Sequence, residues 1–381
     1  MSRIAKIEIG RFDYEMAGEF KFFKAGSDGS VRRPTVLVRL TDEEGITGWG
    51  QAVPVPSWTY ETVESVLTTL EFHLAEVVLG RDPADFQGLH AAMNMAIRPA
   101  FSVGQPLCKA AVDIACHDLV GRQRGVPVWK LFGEPATARE SLTLSWTVNS
   151  AKMEGVERQL MEGRARGYRN YNIKVGAPQT ADFDLEIARA VRAFEPNGFL
   201  WADANTGYTP EAALAIAPRL RDAGVDVLES PLPPTRIRGY QALKKQGAIP
   251  ILLDEGVLAV DVAEEFIALG MTDGIALKPA RNAGLWPSVQ IVNKLRAHGL
   301  LILGSGLCDP DFSLAAALHL FAWSGLGTPC ALNGPQFLSG SLVNGALSTR
   351  ADMINLPTSA GLGLTPDARA VDCLHEVLPG C

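Results

Sequence analysis

From about residue 141 the chain alternates short apolar runs with helical stretches, and most of the runs end in charged residues. The runs are LTLSWTV, YNIKVG, FLWADAN, VDVLESP, PILLDEG, DGIALKP, LLILGSG and PCALNG, separated by segments such as DFDLEIARAVRAF and PEAALAIAPRLRDAG with helical spacing. Repeated strand-helix units build parallel sheets, whose strands are buried on both faces and so read as continuous apolar runs. Eight units in roughly 220 residues suit a closed α/β barrel. The expected fold class is α/β, a TIM-type (β/α)7-8 barrel preceded by an α+β capping domain. An open, doubly wound sheet of six or seven strands is the competing arrangement.

The first third differs from the rest. RIAKIEIGRF and TVLVRLTDEEGITGWGQA alternate apolar and polar residues about a DEEG turn, which predicts an antiparallel meander. Helical periodicity follows over 61–79 and 107–121, and a turn-rich passage over 125–140 leads into the barrel. The expected divisions are 1–134 for the cap, 135–357 for the barrel, and 358–381 for a C-terminal segment packing back on the cap.

A net charge of −7 gives no electrostatic reason to expect nucleic acid or an anionic membrane as partner. The six cysteines form no CxxC pair, and no apolar run reaches the length of a membrane span. The opening MSRIAKIEIG lacks the continuous apolar core of a signal peptide. The expectation is a cytoplasmic protein without nucleic-acid or membrane partners.

Barrels of this kind carry their chemistry at the C-terminal strand ends. Here those ends hold Lys174, Asp203 with Asn205, Glu229, Asp254 with Glu255, and Lys278, each 24 to 29 residues after the previous charged end. Alternation along a strand puts Asn172 on the face of Lys174, and Asn205 on that of Asp203. A single acidic strand end is ordinarily a helix cap or an ion-pair partner. Three on consecutive strands repel unless a cation neutralises them, and all-oxygen ligands favour Mg²⁺, with Mn²⁺ as substitute. Lys174 and Lys278 flank the acidic set. Lysines there can remove a proton from one face of a carbon and return one to the other.

The motifs IKVG, ADAN, ESPL, LDEG and ALKPARNAGL, with AAVDIACHDLVGRQRGVPVWKLFG at the domain junction, resemble the enolase superfamily, specifically its muconate-lactonizing-enzyme subgroup. The resemblance covers nearly the whole chain. It implies that Asp203, Glu229 and Asp254 bind Mg²⁺, that Lys174 and Lys278 are the acid/base pair, and that cap loops contact the substrate. It implies an enediolate intermediate and a homo-oligomer. One departure is visible: the subgroup usually has lysine two residues before the base, and this chain has Asn172, which can donate a hydrogen bond but adds no charge. A mandelate-racemase site would place histidine after run seven and aspartate at run six; this chain has GSGLCDPD and Lys278.

The expected chemistry is abstraction of the proton α to a small carboxylate, giving racemisation, epimerisation or cycloisomerisation. The alternatives are a dehydratase acting on a hydroxy acid, a metal-dependent aldolase, and a non-catalytic metal-binding barrel. Asp309 and Asp311, and Asn333 with Gln336, are expected to add polar groups at the mouth, although DPD is equally a turn or helix cap. Phe20, Phe22 and Phe23, with Trp58 and Tyr60, are expected on cap loops that shield the site.

Overall fold

The computed structural model describes residues 2–378 apart from 19, 101, 136 and 346. The chain opens with an antiparallel sheet of β1 (Ile4–Met16), β2 (Arg32–Asp42) and β3 (Thr47–Ala52). The DEEG turn forms because the Asp42 carboxylate accepts the amides of Glu44 and Ile46 at 3.0 and 2.8 Å, while Gly45 takes φ 83°. Three helical elements cover this sheet: α1 (Val63–Thr69, extended as helical turns to Val78), α2 (Phe86–Ala96) and α3 (Pro106–Arg124). The Thr62 and Ser65 side chains cap α1 reciprocally. The carboxylate of Glu61 accepts the amides of Leu107 and Cys108 at the start of α3, and Gly125 at φ 65° ends it.

Helix α3 is buried along most of its length because it lies between sheet and barrel. Two glycines let it approach: a Cβ on Gly48 or Gly50 would collide with the carbonyl oxygens of Ala115 or Ala111.

Seven parallel strands follow in unbroken neighbour order: β4 (Trp146–Val148), β5 (Tyr171–Lys174), β6 (Leu200–Asp203), β7 (Val227–Glu229), β8 (Ile251–Leu253), β9 (Gly274–Leu277) and β10 (Leu301–Gly304). The helices between them are α4 (Met153–Ala165), α5 (Ala181–Phe194), α6 (Pro210–Asp222), α7 (Ile237–Gln246), α8 (Val260–Ala268) and α9 (Leu285–Ala297), and α10 (Asp311–Trp323) follows β10. Thr180 and Thr209 cap α5 and α6 through their hydroxyls.

The eighth run closes the ring without becoming a full strand. Its Ala331 amide donates to Gly304 and its Cys330 carbonyl accepts from Ser145, both at 2.8 Å. Its expected helix is replaced by one turn, Gly334–Phe337, because the Asn333-Gly334-Pro335 sequence turns the chain. The first run is also corrected: Ser141–Thr143 pairs antiparallel with Met353–Asn355, while Leu144 and Ser145 meet the eighth run and Trp146–Val148 pairs with β5 in the barrel. Beyond that point the C-terminal stretch returns to the cap, where Glu376 pairs with Glu8 on β1.

The barrel lumen is filled by Trp201, Val227, Leu252, Ala276, Leu303 and Ala331. Trp201, Val227, Leu252 and Ala276 each precede by two residues one of the charged strand ends: Asp203, Glu229, Asp254 and Lys278. Strand side chains alternate, so the charged groups point into the same lumen, one layer higher.

Cap and barrel are joined by buried carboxylates on α3. The Asp113 carboxylate accepts the amide of Leu285 at the start of α9, and Gly284 leaves room for it at φ 111°. Asp113 also pairs with His90 and His117, which gives these two histidines a structural role. Asp118 accepts the amides of Trp49 and Leu362 at 2.9 and 2.7 Å. Among the described residues no helix is long and apolar enough to cross a membrane.

Candidate active site at the barrel mouth

The five charged strand ends are all buried, at no more than 5% exposure, although each would prefer water. Four of them survive burial by pairing. The Lys174 ammonium contacts Asp203 Oδ2 on the neighbouring strand, and the Lys278 ammonium contacts Asp254 Oδ2. Arg281 contacts the other oxygen of Asp254. The Arg281 amide folds back on the Lys278 carbonyl at 3.0 Å, which returns its guanidinium to the mouth. Burial lowers the pKa of Arg281 to about 9, opposed by Glu229 and Asp203.

Glu229 stands between the two ion pairs and differs from both. Its Oε1 is buried with no hydrogen-bond partner. Burial first, and the Asp203 charge second, push its carboxyl up to about 8. For Asp203 burial acts upward, but Lys174, Lys21 and Lys278 together hold the carboxyl below its ordinary value.

Lys174 and Lys278 stand at the second and sixth of eight strand positions, and so on opposite sides of the barrel. Asn205, at the left-handed φ of 40°, donates from Nδ2 to Asp203 and Glu255 at 3.1 and 2.9 Å. Oε2 of Glu255 has no hydrogen-bond partner.

Asn172 belongs to a neutral network. Its Oδ1 accepts from the hydroxyl of Thr147 at 2.9 Å and from that of Ser145 at 3.4 Å. Asn333 donates to the same Thr147 hydroxyl at 3.4 Å, and Gln336 brackets the Thr147 backbone with two bonds of 2.9 Å. Asn172, Asn333 and Gln336 are thus brought together where β4, β5 and the eighth run meet.

Asp309 and Asp311 do not present acceptors at the mouth, which corrects that expectation. Asp309 accepts the Leu307 amide at 2.6 Å and the Ser313 hydroxyl. Asp311 accepts the Tyr14 hydroxyl at 2.7 Å, Ser341 at 2.6 Å and the Leu342 amide at 2.8 Å, which ties α10 to the cap sheet. Every carboxylate oxygen of the two residues accepts from an internal donor, the alternative open to a DPD turn.

An aromatic cover lies over the lysines. Phe22 stacks on Trp58 with ring centroids 4.2 Å apart, and Phe20 contacts Trp58 and Phe337 at 5.8 and 4.9 Å. The Lys278 ammonium is 5.1 Å from the Trp58 ring, and that of Lys174 is 5.9 Å from Phe20. Phe23 packs at the edge of this group, 5.3 Å from the Arg33 guanidinium. Buried Arg33 donates to carbonyls on both domains, Val53 at 2.7 Å and Leu307 at 3.0 Å, and so fixes the cover to the barrel. Tyr60 ends the turn Pro56–Thr59 at φ 55° and, although 54% exposed, lines a small cavity together with Trp58, Glu255 and Arg281.

Two residues of the site carry no signal of strand-end position. Arg281 lies three residues past a strand end, and Lys21 lies among the cap aromatics. The residues present fit a divalent cation in the chemistry of their donors, three carboxylates on consecutive strands, and in the partnerless oxygen of Glu229. Among the described residues no three acidic, histidine or cysteine side chains form a ready-made coordination shell, since Asp203 and Asp254 are turned toward cationic side chains.

Residues 155–370 match the family described as Enolase C-terminal domain-like, and residues 24–133 match the Mandelate racemase / muconate lactonizing enzyme, N-terminal domain. A chloromuconate cycloisomerase of Cupriavidus necator is 30% identical over 337 residues, which is 87% of this chain and 89% of that protein. An N-succinyl-L-Arg/Lys racemase of Bacillus cereus is 25% identical over 87% of each chain. The solved muconate lactonizing enzyme from Pseudomonas putida superposes with a TM-score of 0.87 at 23% identity, covering 98% of this chain and 100% of that one. Sequence and fold agree: the chain belongs to the mandelate racemase/muconate lactonizing enzyme family of the enolase superfamily.

Proposed function

We propose that this chain is an isomerase, dependent on Mg²⁺ or its substitute Mn²⁺, that removes the proton α to the carboxylate of a small acid and returns a proton to the same carbon framework. The observation that carries this reading is the pair Lys174 and Lys278, buried on opposite sides of the lumen with Glu229 between them. Relatives named as cycloisomerases, a racemase and an epimerase agree with it.

Asp203, Glu229 and Asp254 would hold the cation. When bound, it supplies positive charge that offsets the negative charge developing on the substrate carboxylate. One lysine, in its neutral form, takes the α-proton as the C–H electron pair moves toward the carboxylate. The opposite lysine, as the ammonium, delivers a proton from the other face, which inverts the centre. Phe20, Phe22 and Trp58 exclude water from the carbon while it is deprotonated. Asn172 holds the wall beside Lys174 without adding charge.

The test is solvent deuterium exchange into a panel comprising cis,cis-muconate, N-succinyl-L-arginine, L-Ala-L-Glu and a set of hydroxylated acids, with Mg²⁺ or with EDTA. The reading requires Mg²⁺-dependent incorporation at a single α-carbon in at least one compound. Exchange accompanied by loss of water would instead establish a dehydratase, and no exchange in any member would leave a non-catalytic barrel.

A further inference from the structure

A second cavity lies outside the barrel, where the cap packs on the flank of the barrel helices. Its volume is about 760 Å³, a size suited to a small-molecule site. Helices α2 and α3 and the loop between them wall it on the cap side, and the starts of α8 and α9 on the barrel side. Much of that wall is apolar, with Val103, Val260, Trp286 and Pro287 among its hydrophobic faces. Tyr60 and Leu258 line both this cavity and the small one that reaches Glu255 and Arg281, so it adjoins the mouth without being part of it.

One cation of this wall is buried without a counter-ion. Lys109 is 1% exposed, and among the described residues it makes no ion pair. Its ammonium donates to two neutral acceptors, Asn94 Oδ1 at 2.8 Å and the Ile97 carbonyl at 2.9 Å. An ammonium carries three protons, so one donor is left over. The carboxylate of Glu61 does not take it, because its two oxygens accept the amides of Leu107 and Cys108. Burial lowers the pKa of Lys109 to about 8, which leaves the amine largely protonated at neutral pH. A buried charge held only by neutral groups is costly, and an anion in the cavity offsets that cost.

The other charged groups of the wall narrow the choice of anion. His90 is committed to Asp113 at 2.8 Å. Asp261 and Glu264 stand on the barrel side, and Glu264 is paired with Lys294. Among the described residues that line the cavity Lys109 is the only ammonium or guanidinium, and two carboxylates share the wall with it, which favours a singly charged ligand over a phosphate dianion.

We infer that this cavity binds a small monocarboxylate with an apolar body, whose carboxylate takes the remaining Lys109 donor and whose body packs against Trp286 and Val260. The site stands independently of the proton-abstraction reading, since none of the charged strand ends belongs to it.

The experiment is fluorine NMR of the full-length protein carrying fluorotryptophan, titrated with benzoate and with phenylacetate. The Trp286 resonance reports on the cavity and that of Trp58 on the barrel mouth. At least one of the two acids is expected to shift Trp286 saturably, independently of any change at Trp58. The neutral analogues benzamide and phenylacetamide are expected to bind roughly 10- to 100-fold more weakly, the loss that goes with a charge-assisted hydrogen bond. Lys109→Met is expected to show the same loss for the acids. Val262→Phe, which narrows the cavity from the barrel side and leaves Lys109 intact, is expected to abolish the shift. The amides and Val262→Phe decide the matter where Lys109→Met fails to fold. A Trp286 resonance that moves with neither acid, acids that move Trp58 alone, or amides that bind as tightly as the acids would each overturn the assignment. Wild-type affinity in Lys109→Met or in Val262→Phe would overturn it as well.

Discussion

The Lys278 ammonium lies 5.1 Å from the centre of the Trp58 ring, so a side chain from the capping domain covers a buried charge of the barrel. On the proposed mechanism that contact gives the cap a chemical role: it would keep water from one of the two lysines on opposite sides of the lumen. Trp58→Ala is expected to lower the rate of α-deuterium exchange on the order of ten-fold or more, with Trp58→Phe retaining most of it. A Trp58→Ala protein that exchanges at the wild-type rate would show that the cover is only packing.

Glu229 is buried with a carboxyl pushed up to about 8, so it opposes folding whenever it is ionised without a cation. Replacing it with the neutral isostere Gln is expected to raise the melting temperature of the metal-free protein by a few degrees. Mg²⁺ is expected to raise the melting temperature of the wild type and to give no such rise in Glu229→Gln. Thermal scans with EDTA and with Mg²⁺ check both halves.

At the domain boundary, Gly284 adopts φ 111° and a Cβ there would collide with Asp113, the carboxylate that caps α9. Gly284→Ala is expected to destabilise the protein by about 2 to 4 kcal/mol in denaturant titrations, from backbone strain plus loss of the cap. Little or no change in the midpoint would show that the two domains do not depend on this joint.

His319 lies on α10 without exposed surface, and burial lowers its imidazole pKa to about 4. The unfolded chain binds this proton below about 6.5, the folded one only near 4. Folding stability is therefore complete above about pH 6.5 and falls as pH drops toward 4, with a slope of at most about 1.4 kcal/mol per pH unit from this group. His319→Phe should flatten that part of the profile, as measured by denaturation midpoints between pH 7 and 4.

The strand ends were legible in the sequence because period-two alternation ties each charged residue to an apolar residue two positions earlier, and one lumen receives both. Trp201 with Asp203 and Val227 with Glu229 show this directly. Pairing within the mouth was not legible, since it depends on which rotamers neighbouring strands allow. Asp311 illustrates the same limit: a DPD turn can face the substrate or satisfy internal donors, and the donors that decide for Asp311, Tyr14 and Ser341, are far away in sequence. The approach of Lys21 and Trp58 to the barrel is a long-range contact with no local period to announce it. Tyr60, two residues from Trp58, ends a turn in the left-handed region and lines a small cavity with Glu255 and Arg281.

The central claim is that Lys174 and Lys278 act on opposite faces of one carbon. The direct measurement is α-deuterium exchange of each enantiomer of an accepted acid with wild type, Lys174→Ala and Lys278→Ala in the presence of Mg²⁺. The account predicts that each variant loses inversion but retains exchange of one enantiomer, and that the two variants retain opposite enantiomers. Loss of both enantiomers in one variant, with the other left fully active, would contradict it.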